Sequence, residues 1–474
     1  MELKTLFTSN LSLLSAKAVI FMKTVVKFTL IPLLLHGLTS QAELTVTNVA
    51  QGCAANHSLF LKSDGSLWAM GYNNDGQLGD GTLSNTNRPE QIVANDVTAI
   101  ATGDGHSLFL KSDGSLWAMG FNQFGQLGDG TFNNTNRPEQ IVASGVTAIA
   151  TGEGHSLFLK SDGSLWAMGY NYYGELGDGT FNNTNRPEQI VASGVTKLAA
   201  GGGHSLFLKS DGSLWAMGFD GHGELGDGTY NSTNRPEQIV DGGVIAIAAG
   251  GFHSLLIKSD GSLWAMGYDI LGQLGDGEPN STTNQPEQIV ASGVTAIAAG
   301  QFHSLFLKSD GSLWAMGYNV GGQLGDGSYN SAYWPEQIVA SGVTAIAAGF
   351  IQSLFLKSNG SLWGMGDNGF GELGDGFIDN SPPNGTATAE QIFPAPHPVL
   401  YSALSSKANL QFNATCGFGA NFCLLGSADM TLPLSEWTPI LTNSVTTRGA
   451  NNYSVTLTNV VSADSQQFYI LQSQ

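Results

Sequence analysis

The chain has 474 residues, of which 12% are charged, 42% are hydrophobic and 63 are glycine, a composition that excludes a disordered chain and a helical array rich in Ala, Glu and Lys. Its 18 Lys and Arg residues against 38 Asp and Glu give a formal net charge of −20, which repels phosphate backbones. We therefore expect that nucleic acid is not a partner.

The first 42 residues have the features of an export signal. Beginning at Met22, a short basic segment leads into an apolar run from Phe28 to Leu38, and Ser40-Gln41-Ala42 ends in the small residue that a signal peptidase requires. The run is about half as long as the roughly twenty residues that cross a bilayer as a helix. We expect a signal peptide within residues 1–42, cleavage after Ala42, and a secreted or cell-envelope protein with no integral membrane span.

The rest of the chain is dominated by a repeated unit. The motif His-Ser-Leu-Phe-Leu-Lys-Ser-Asp-Gly-Ser-Leu-Trp-Ala-Met-Gly recurs nearly unchanged between residues 57 and 366. The tryptophans of this motif are 49 residues apart, with one interval of 50, and lie at Trp68, Trp117, Trp166, Trp215, Trp264, Trp314 and Trp363. Seven units of this length are typical of the four-stranded blades of a β-propeller.

Each unit contains four runs with the composition of short strands: Val-Thr-Ala-Ile-Ala, His-Ser-Leu-Phe-Leu, Ser-Leu-Trp-Ala-Met and Pro-Glu-Gln-Ile-Val. The Asp-Gly pair between the second and third runs favours a tight hairpin turn. Consecutive apolar residues, as in Leu59-Phe60-Leu61, indicate strands that are covered on both faces, as they are between stacked blades. We therefore predict an all-β fold in which residues 43–394 form a seven-bladed β-propeller.

The two ends of the repeat region indicate how the ring closes. The last unit ends at Glu390-Gln391-Ile392-Phe393 with no Val-Thr-Ala-Ile run after it, whereas a matching run, Val46 to Gly52, precedes the first His-Ser strand. We expect this N-terminal strand to complete the last blade and to hide the sheet edges.

The repeat resembles that of the regulator of chromosome condensation family, in a form similar to its secreted bacterial members. The pattern is Gly-x-x-His-Ser, then Asp-Gly, then Trp-x-x-Gly-x-Asn-x-x-Gly-Gln-Leu-Gly, as in Gly103 to Gly128. The resemblance implies the seven-bladed propeller. Because the family includes guanine-nucleotide exchange factors, a secreted β-lactamase inhibitor and many uncharacterised bacterial proteins, the resemblance does not fix the function. The units contain no motif onto which exchange-factor residues can be carried.

Residues 399–474 lie beyond the repeats and form a separate, β-rich segment. Five strand-like runs are centred on Leu410-Phe412, Phe422-Leu425, Thr438-Leu441, Tyr453-Leu457 and Phe468-Leu471. They predict a small β-sandwich-like domain. Cys416 and Cys423 are close enough in sequence to pair there, whereas Cys53 has no obvious partner and is expected to be a small buried residue.

The constant polar residues of the repeat are expected to be structural. Six units carry a histidine where the seventh has Gln352, and Gln neither titrates near neutral pH nor serves as a usual metal ligand. The Gly-Asp-Gly aspartates, such as Asp80, suit loop-capping hydrogen bonds, and their segment lacks the ligand spacing of a calcium loop. We expect no metal site and no cofactor.

The informative differences between units lie in three connections: before the His-Ser strand, after the Trp strand, and before Pro-Glu-Gln. Turns alternate between the two ends of an antiparallel blade, so all three should share one face, opposite the constant Lys-Ser-Asp-Gly turns. Loop variation that includes aromatic residues is typical of a recognition surface, and drift after repeat duplication is the alternative. The candidate binding residues are Asp75, Asp104, Phe124, Glu153, Tyr172, Tyr173, His222, Ile270, Leu271, Phe302 and Phe370.

The leading hypothesis is therefore an exported, monomeric, non-enzymatic scaffold that binds a protein or another extracellular macromolecule through the variable loops. The alternative is a guanine-nucleotide exchange factor for a small GTPase, as the family resemblance implies. A third hypothesis is an enzyme that acts on polysaccharide through acids on the variable face, with Asp75, Asp104, Glu153, Asp220 and Asp269 as candidates. No nucleophile elbow, phosphate-binding loop or Cys-x-x-Cys pair supports catalysis.

Overall fold

The computed structural model describes residues 19–22, 44–50, 52–278, 282–379, 385–393, 399–406, 409–415, 421–427, 438–444, 452–458 and 468–473. All the elements in this part of the chain are β-strands, and no helix in it is long and apolar enough to cross a membrane. The chain divides into two compact units, Val46–Ile392 and a second unit built from the segments on either side of it. The export signal expected within residues 1–42 lies outside the described residues, except for 19–22.

The larger unit contains seven blades, and its strands fall into four classes. The first strands are β2 Val46–Ala50, β6 Val97–Thr102, β10 Val146–Thr151, β14 Val195–Ala200, β18 Val244–Ala249, β22 Val294–Ala299 and β26 Val343–Ala348. The second strands are β3 His57–Lys62, β7 His106–Lys111, β11 His155–Lys160, β15 His204–Lys209, β19 His253–Lys258, β23 His303–Lys308 and β27 Gln352–Lys357. The third strands are β4 Leu67–Gly71, β8 Leu116–Gly120, β12 Leu165–Gly169, β16 Leu214–Gly218, β20 Leu263–Tyr268, β24 Leu313–Gly317 and β28 Leu362–Asp367. The fourth strands are β5 Thr86–Val93, β9 Thr135–Val142, β13 Thr184–Val191, β17 Thr233–Val240, β21 Thr282–Val290, β25 Ala332–Val339 and β29 Gly385–Phe393.

Each blade is a four-stranded sheet of consecutive strands, from blade 1 (β2-β3-β4-β5) to blade 7 (β26-β27-β28-β29). The seven-bladed propeller predicted from the repeat period is thereby confirmed. The first strands surround a central channel of about 260 Å³, whose wall consists mainly of small and aliphatic residues such as Ile100, Ala150, Ala199 and Ala249.

The prediction that the N-terminal strand completes the last blade is wrong. β2 pairs antiparallel with β3 of its own blade, with Val49 opposite Phe60, and blade 7 is complete without it. A short connection joins β2 to β3, so this pairing costs far less loop-closure entropy than pairing across the whole repeat region. The ring closes by contacts between complete blades, where Gln352 Nε2 donates to Ala55 O at 2.5 Å.

The hairpin between the second and third strands depends on one glycine. Gly65 has a φ of +75°, and its N–H donates to Lys62 O at 2.9 Å, while the Asp64 carboxylate accepts the N–H of Ser66 at 2.9 Å. Of the Asp-Gly pair, only the glycine takes the positive φ angle. The aspartate contributes the side-chain acceptor that closes the turn.

The hydrophobic core consists of layers between neighbouring blades. Leu108 and Leu110 pack towards blade 3, in a cluster with Phe158, whereas Phe109 packs towards blade 1, in a cluster with Leu59. Since side chains alternate between the two faces of a strand, an uninterrupted apolar run fills two successive layers. The expectation from consecutive apolar residues is confirmed.

A buried histidine and serine join neighbouring blades at six of the seven interfaces. Ser107 Oγ in blade 2 donates to Gln77 O of blade 1 at 2.8 Å. The same oxygen lies 2.7 Å from Nε2 of His57, which also belongs to blade 1. The hydroxyl has only one proton, so it must accept from His57, whose own proton is therefore on Nε2. The same arrangement recurs at His106, His155, His204, His253 and His303.

These histidines are neutral structural groups. Burial lowers the pKa of His57 to about 3 and that of His204 to about 4, so both stay uncharged at neutral pH. Their folded pKa lies below the unfolded value of 6.5, so the stability that they contribute is lost as pH falls below that value.

The constant face carries a ring of lysines, each held on a tryptophan of its own blade. The distance from Nζ to the ring centroid is between 3.6 Å for Lys258 over Trp264 and 4.5 Å for Lys111 over Trp117. The indole N–H of Trp117 donates to Ser115 Oγ at 2.9 Å. These lysines therefore stabilise the hairpins through cation–π contacts.

The smaller unit contains β1 Val19–Met22, β30 Val399–Ser406, β31 Asn409–Thr415, β32 Asn421–Ser427, β33 Thr438–Ser444, β34 Asn452–Thr458 and β35 Phe468–Ser473. Four strands form one sheet in the order β1-β35-β32-β33, and three form another in the order β30-β31-β34. The five predicted strands are all present, together with β30. The possible pairing of Cys416 with Cys423 lies outside the residues whose side chains are described.

One turn between blades offers a test of backbone strain. Asp96 has a φ of +67°, where the equivalent residue Gly194 has +82°, and it is the only described non-glycine residue with a positive φ. We expect Asp96→Gly to raise the free energy of unfolding by about 0.5 kcal/mol, because it removes a Cβ from a left-handed conformation. Denaturant unfolding measures the change. The reverse change, Gly194→Asp, has open space around it and should cost about 1 kcal/mol; a loss of stability on Asp96→Gly would contradict the argument.

Candidate functional site

The three variable connections lie on one face of the propeller, as predicted. In blade 2 the N–H of Phe121, which follows the third strand, donates to Gly105 O, which precedes the second strand, at 2.8 Å. The same bond joins Tyr170 to Gly154 in blade 3. The loops before the second strands and after the third strands therefore form a single surface, here called the variable face.

Constant polar residues hold the longer loop of each blade in place. In blade 1, Asn73 Oδ1 accepts the N–H of Leu78 at 3.0 Å, and Asn73 Nδ2 donates to Asp80 Oδ1 at 3.1 Å. Asp80 also accepts the N–H of Thr82 at 2.8 Å. The Gly-Asp-Gly aspartates thus cap the loops, as predicted.

Two of the acids considered for polysaccharide chemistry are not on the surface. Asp220 and Asp269 replace the loop asparagine in blades 4 and 5, and both are fully buried. They accept the N–H of Leu225 at 2.9 Å and of Leu274 at 2.6 Å. Burial raises the pKa of Asp220 to about 7. These two carboxyls support loops and are unable to reach a substrate on the variable face.

An uninterrupted series of ring contacts crosses the variable face from blade 2 to blade 6. Successive ring centroids lie between 4.7 Å (Tyr173 to Phe219) and 6.4 Å (Tyr268 to Phe302) apart. We call this series the aromatic crescent. Its members are Phe121, Phe124, Tyr170, Tyr172, Tyr173, Phe219, His222, Phe252, Tyr268, Phe302 and Tyr318.

The structure brings five of the predicted binding residues into this crescent: Phe124, Tyr172, Tyr173, His222 and Phe302. Tyr172 is 65% exposed, whereas Tyr173 is 36% exposed because its ring packs 4.7 Å from that of Phe219. Tyr172 is therefore available for binding a partner. Tyr173 also has a packing role.

The other predicted apolar residues lie on the same face outside the crescent. Ile270 is exposed and Leu271 is half-buried, both in the long loop of blade 5. Phe370 of blade 7 forms a separate pair with Tyr72 of blade 1, with ring centroids 4.9 Å apart.

Sequence reasoning missed about half of the crescent. The residue that follows the Trp-Ala-Met-Gly segment of the third strand is aromatic in six blades, at Tyr72, Phe121, Tyr170, Phe219, Tyr268 and Tyr318. This regularity is visible in the sequence, but the candidate binding residues come only from positions that differ between units. A second missed set is an outer ring of exposed side chains on the long loops, at Leu83, Phe132, Phe181, Tyr230, Tyr329 and Ile378.

The predicted acidic residues form a cluster beside the crescent. Asp104 is exposed at the edge of the channel, yet the surrounding protein, followed by the neighbouring Glu153 and Asp75, raises its pKa to about 6. Burial also raises the pKa of Glu153, against the hydrogen bond from Gln301 Nε2, at 3.0 Å, which lowers it. Among the described residues, no group of three or more His, Cys, Asp or Glu side chains can hold a metal ion.

Each long loop of the variable face also rests on a buried Gln or Glu side chain. In blade 3, Glu175 Oε2 accepts the N–H of Tyr173 at 2.8 Å, and in blade 7 Glu372 Oε2 accepts that of Phe370 at 2.7 Å. Burial raises the pKa of Glu175 to about 7 and of Glu372 to about 8. Blades 1, 2, 5 and 6 have a glutamine here, as at Gln126.

Replacing Glu175 and Glu372 together by Gln tests this burial. The folded carboxyls keep their protons up to pH 7 to 8, whereas the unfolded carboxyls ionise near pH 4.5, so stability falls as pH rises through this window. We expect the melting temperature of the parent to fall from pH 5 to pH 9 and that of E175Q/E372Q to fall less. Thermal unfolding followed by circular dichroism gives both profiles.

The matched control is Gln126→Glu, which introduces a carboxyl at the equivalent position of blade 2. We expect it to destabilise the protein at pH 9 and to have little effect at pH 5. Parallel pH profiles for all three proteins would show that the carboxyls are ionised in the folded state.

Comparison with known proteins agrees with the geometry. The model of the RCC1-like domain matches residues 21–240 and 146–431, which is most of the chain. The chain belongs to the RCC1-like domain family. Among solved structures, this RCC1-like protein is similar to human WBSCR16, with 26% identity over 66% of this chain and 87% of that one, at a TM-score of 0.59.

The fold is also that of Prp20p from Saccharomyces cerevisiae. The match has 22% identity and a TM-score of 0.63, and it covers 71% of this chain and 88% of that one. A second structure, yeast Prp20 bound to Kap60, matches with 20% identity and a TM-score of 0.62 over 77% and 91% of the two chains. At these identities the likeness concerns the fold.

Proposed function

We propose that this RCC1-like protein is an exported, non-enzymatic binding protein that recognises a partner protein through the aromatic crescent. The observation that carries the proposal is the continuity of the crescent across five blades. Protein interfaces are enriched in aromatic residues, and a few of them supply most of the binding energy.

The crescent is suited to binding because its loops are held in place before a partner arrives. The N–H of Tyr173 is bonded to the buried Glu175, and that of Phe124 is bonded to Gln126 Oε1 at 3.1 Å. Binding to a loop that is already ordered loses less conformational entropy than binding to a mobile one. A rigid propeller with aromatic loop ends therefore offers affinity at little ordering cost.

Two further observations support parts of the proposal. The N-terminal segment has the organisation of a signal peptide, which supports export. The burial of Asp220 and Asp269 removes two candidate acids from a hydrolytic site, which supports a non-enzymatic role.

The decisive variant is Tyr172→Ser. Tyr172 is 65% exposed, so its removal should leave the melting temperature within about 2 °C of the parent while it weakens partner binding by tenfold or more. The measurement is a pull-down from the native extracellular medium with the chain beginning at Glu43, together with thermal unfolding.

The control is Ile245→Thr. Ile245 is an exposed apolar residue near the start of β18, the first strand of blade 5, whereas the variable loop follows the end of that strand. Most units have threonine at this position. A partner retained by the parent and by Ile245→Thr, and lost by Tyr172→Ser, supports the proposal. Equal retention by all three proteins contradicts the role of the crescent.

Guanine-nucleotide exchange is the second candidate, because family membership favours it and the study of Prp20p describes binding to Gsp1p and histones. A nucleotide-release assay with purified small GTPases separates the two candidates. We expect no acceleration of release by this protein. If the protein accelerates nucleotide release and Tyr172→Ser abolishes the effect, the function would be nucleotide exchange at the variable face, and the proposal of a non-enzymatic binding protein would be wrong.

A further inference from the structure

The opening of the central channel on the variable face has a different residue in almost every blade. These residues lie in the short loops before the second strands, at one structural position in an otherwise uniform repeat. Counted two residues before the second strand, they are Ala55, Asp104, Glu153, Gly202, Gly251, Gln301 and Phe350 from blade 1 to blade 7, and the longer loop of blade 1 also places Cys53 beside them. We call this set the channel mouth.

Two side chains of the mouth meet over the glycines. Nε2 of Gln301 in blade 6 donates a hydrogen bond to Oε1 of Glu153 in blade 3 at 3.0 Å. A Cβ atom added to Gly251 would lie 2.6 Å from Gln301 Cδ, and one added to Gly202 would lie 3.1 Å from Glu153 Oε1. The glycines of blades 4 and 5 thus leave the space that these two side chains occupy.

The amide group of Gln301 has an unused acceptor. Because the carboxylate of Glu153 accepts, the amide nitrogen faces it and the amide oxygen faces away. Gln301 is only 6% exposed, and its Oε1 has no hydrogen-bond partner among the described residues. A buried carbonyl oxygen without a donor costs free energy, so this position calls for a donor from outside.

The negative charge at the mouth is also uncompensated. Asp104 has no hydrogen-bond partner for its carboxylate among the described side chains, and the surrounding protein, followed by the neighbouring Glu153 and Asp75, raises its pKa. The thiol of Cys53 is buried, and the same two mouth carboxylates, Asp104 and Glu153, add to the effect of burial in raising its pKa. The ring of lysines, such as Lys111, belongs to the constant face, where each amine lies on a tryptophan.

We propose that the channel mouth binds a cationic side chain, Lys or Arg, of the partner protein, which pairs with Asp104 and Glu153 and donates a hydrogen bond to Gln301 Oε1. The inference rests on the proposed function, since the aromatic crescent would bind the residues around that side chain. An ammonium or guanidinium group supplies both the positive charge and the donor that the mouth lacks. Calcium suits it less well, because that ion takes about six to eight oxygen ligands.

The test uses two peptides that differ only in charge, Tyr-Gly-Arg-Gly-Tyr and the same peptide with citrulline in place of arginine. Isothermal titration at low and at high salt measures their binding to the full chain. We expect the parent to bind the arginine peptide at least tenfold more tightly. The double variant D104N/E153Q should lose this preference while it keeps the parental melting temperature.

The control variant E139Q/E188Q removes the same charge from the same two blades, at exposed positions of the fourth strands. It should keep the preference for arginine. If E153Q disturbs folding, D104N alone, at an exposed carboxylate, should still reduce the preference.

Three results would overturn the proposal. They are equal binding of the two peptides by the parent, equal losses in D104N/E153Q and E139Q/E188Q, and calcium binding at the mouth that excludes the arginine peptide. The proposed function fails separately, since it depends on Tyr172→Ser. A partner that Tyr172→Ser loses and D104N/E153Q retains leaves the crescent as the binding surface and rejects the cation site.

Discussion

The clamp formed by one histidine and one serine at six of the seven blade interfaces is the constraint on which the rest of the propeller depends. The serine hydroxyl of one blade accepts from the histidine and donates to a loop carbonyl of the blade before it, as Ser107 does with His57 and Gln77. All three groups are buried, so no water competes for the bonds and any misplacement leaves a polar group unsatisfied. The clamp therefore holds neighbouring blades together and also sets the distance between them.

The clamp also determines where variation is tolerated. The carbonyl that it uses belongs to the residue that supports the long loop from below, so the base of every loop is fixed while its outer part is free. Tyr172 in blade 3 and Ile270 in blade 5 occupy such outer positions on loops with the same base. The variable face therefore presents side chains that differ on a backbone that is nearly the same from blade to blade, which suits the recognition by side-chain identity that we propose.

The sequence predicted the blades, turns and variable face because each depends on local chemistry that repeats. The 49-residue period and the Asp-Gly turns were enough for the strands. Ring closure was predicted wrongly because a repeating series of strands does not indicate which strand begins a blade. From the number of strands alone, Val46 to Gly52 can be either the first strand of blade 1 or the last strand of blade 7. The hydrogen bond that Gln301 donates to Glu153 joins residues 148 positions apart, and no local pattern indicates it.

A residue that departs from the repeat is most informative about function where the departure costs folding free energy. A buried glutamine supports the long loop in four blades, so the glutamates at Glu175, Glu224 and Glu372 exchange a neutral group for one that is costly to ionise. In blade 4 the cost is partly offset, because Glu224 Oε1 lies 2.9 Å from Nδ1 of His222 in the crescent. Among the described residues, the acids of the channel mouth have no partner that can carry a positive charge, since Glu153 accepts only from the neutral amide of Gln301. A charge that the fold leaves uncompensated on a recognition face is best explained by compensation from outside, which is the physical argument for a cationic partner.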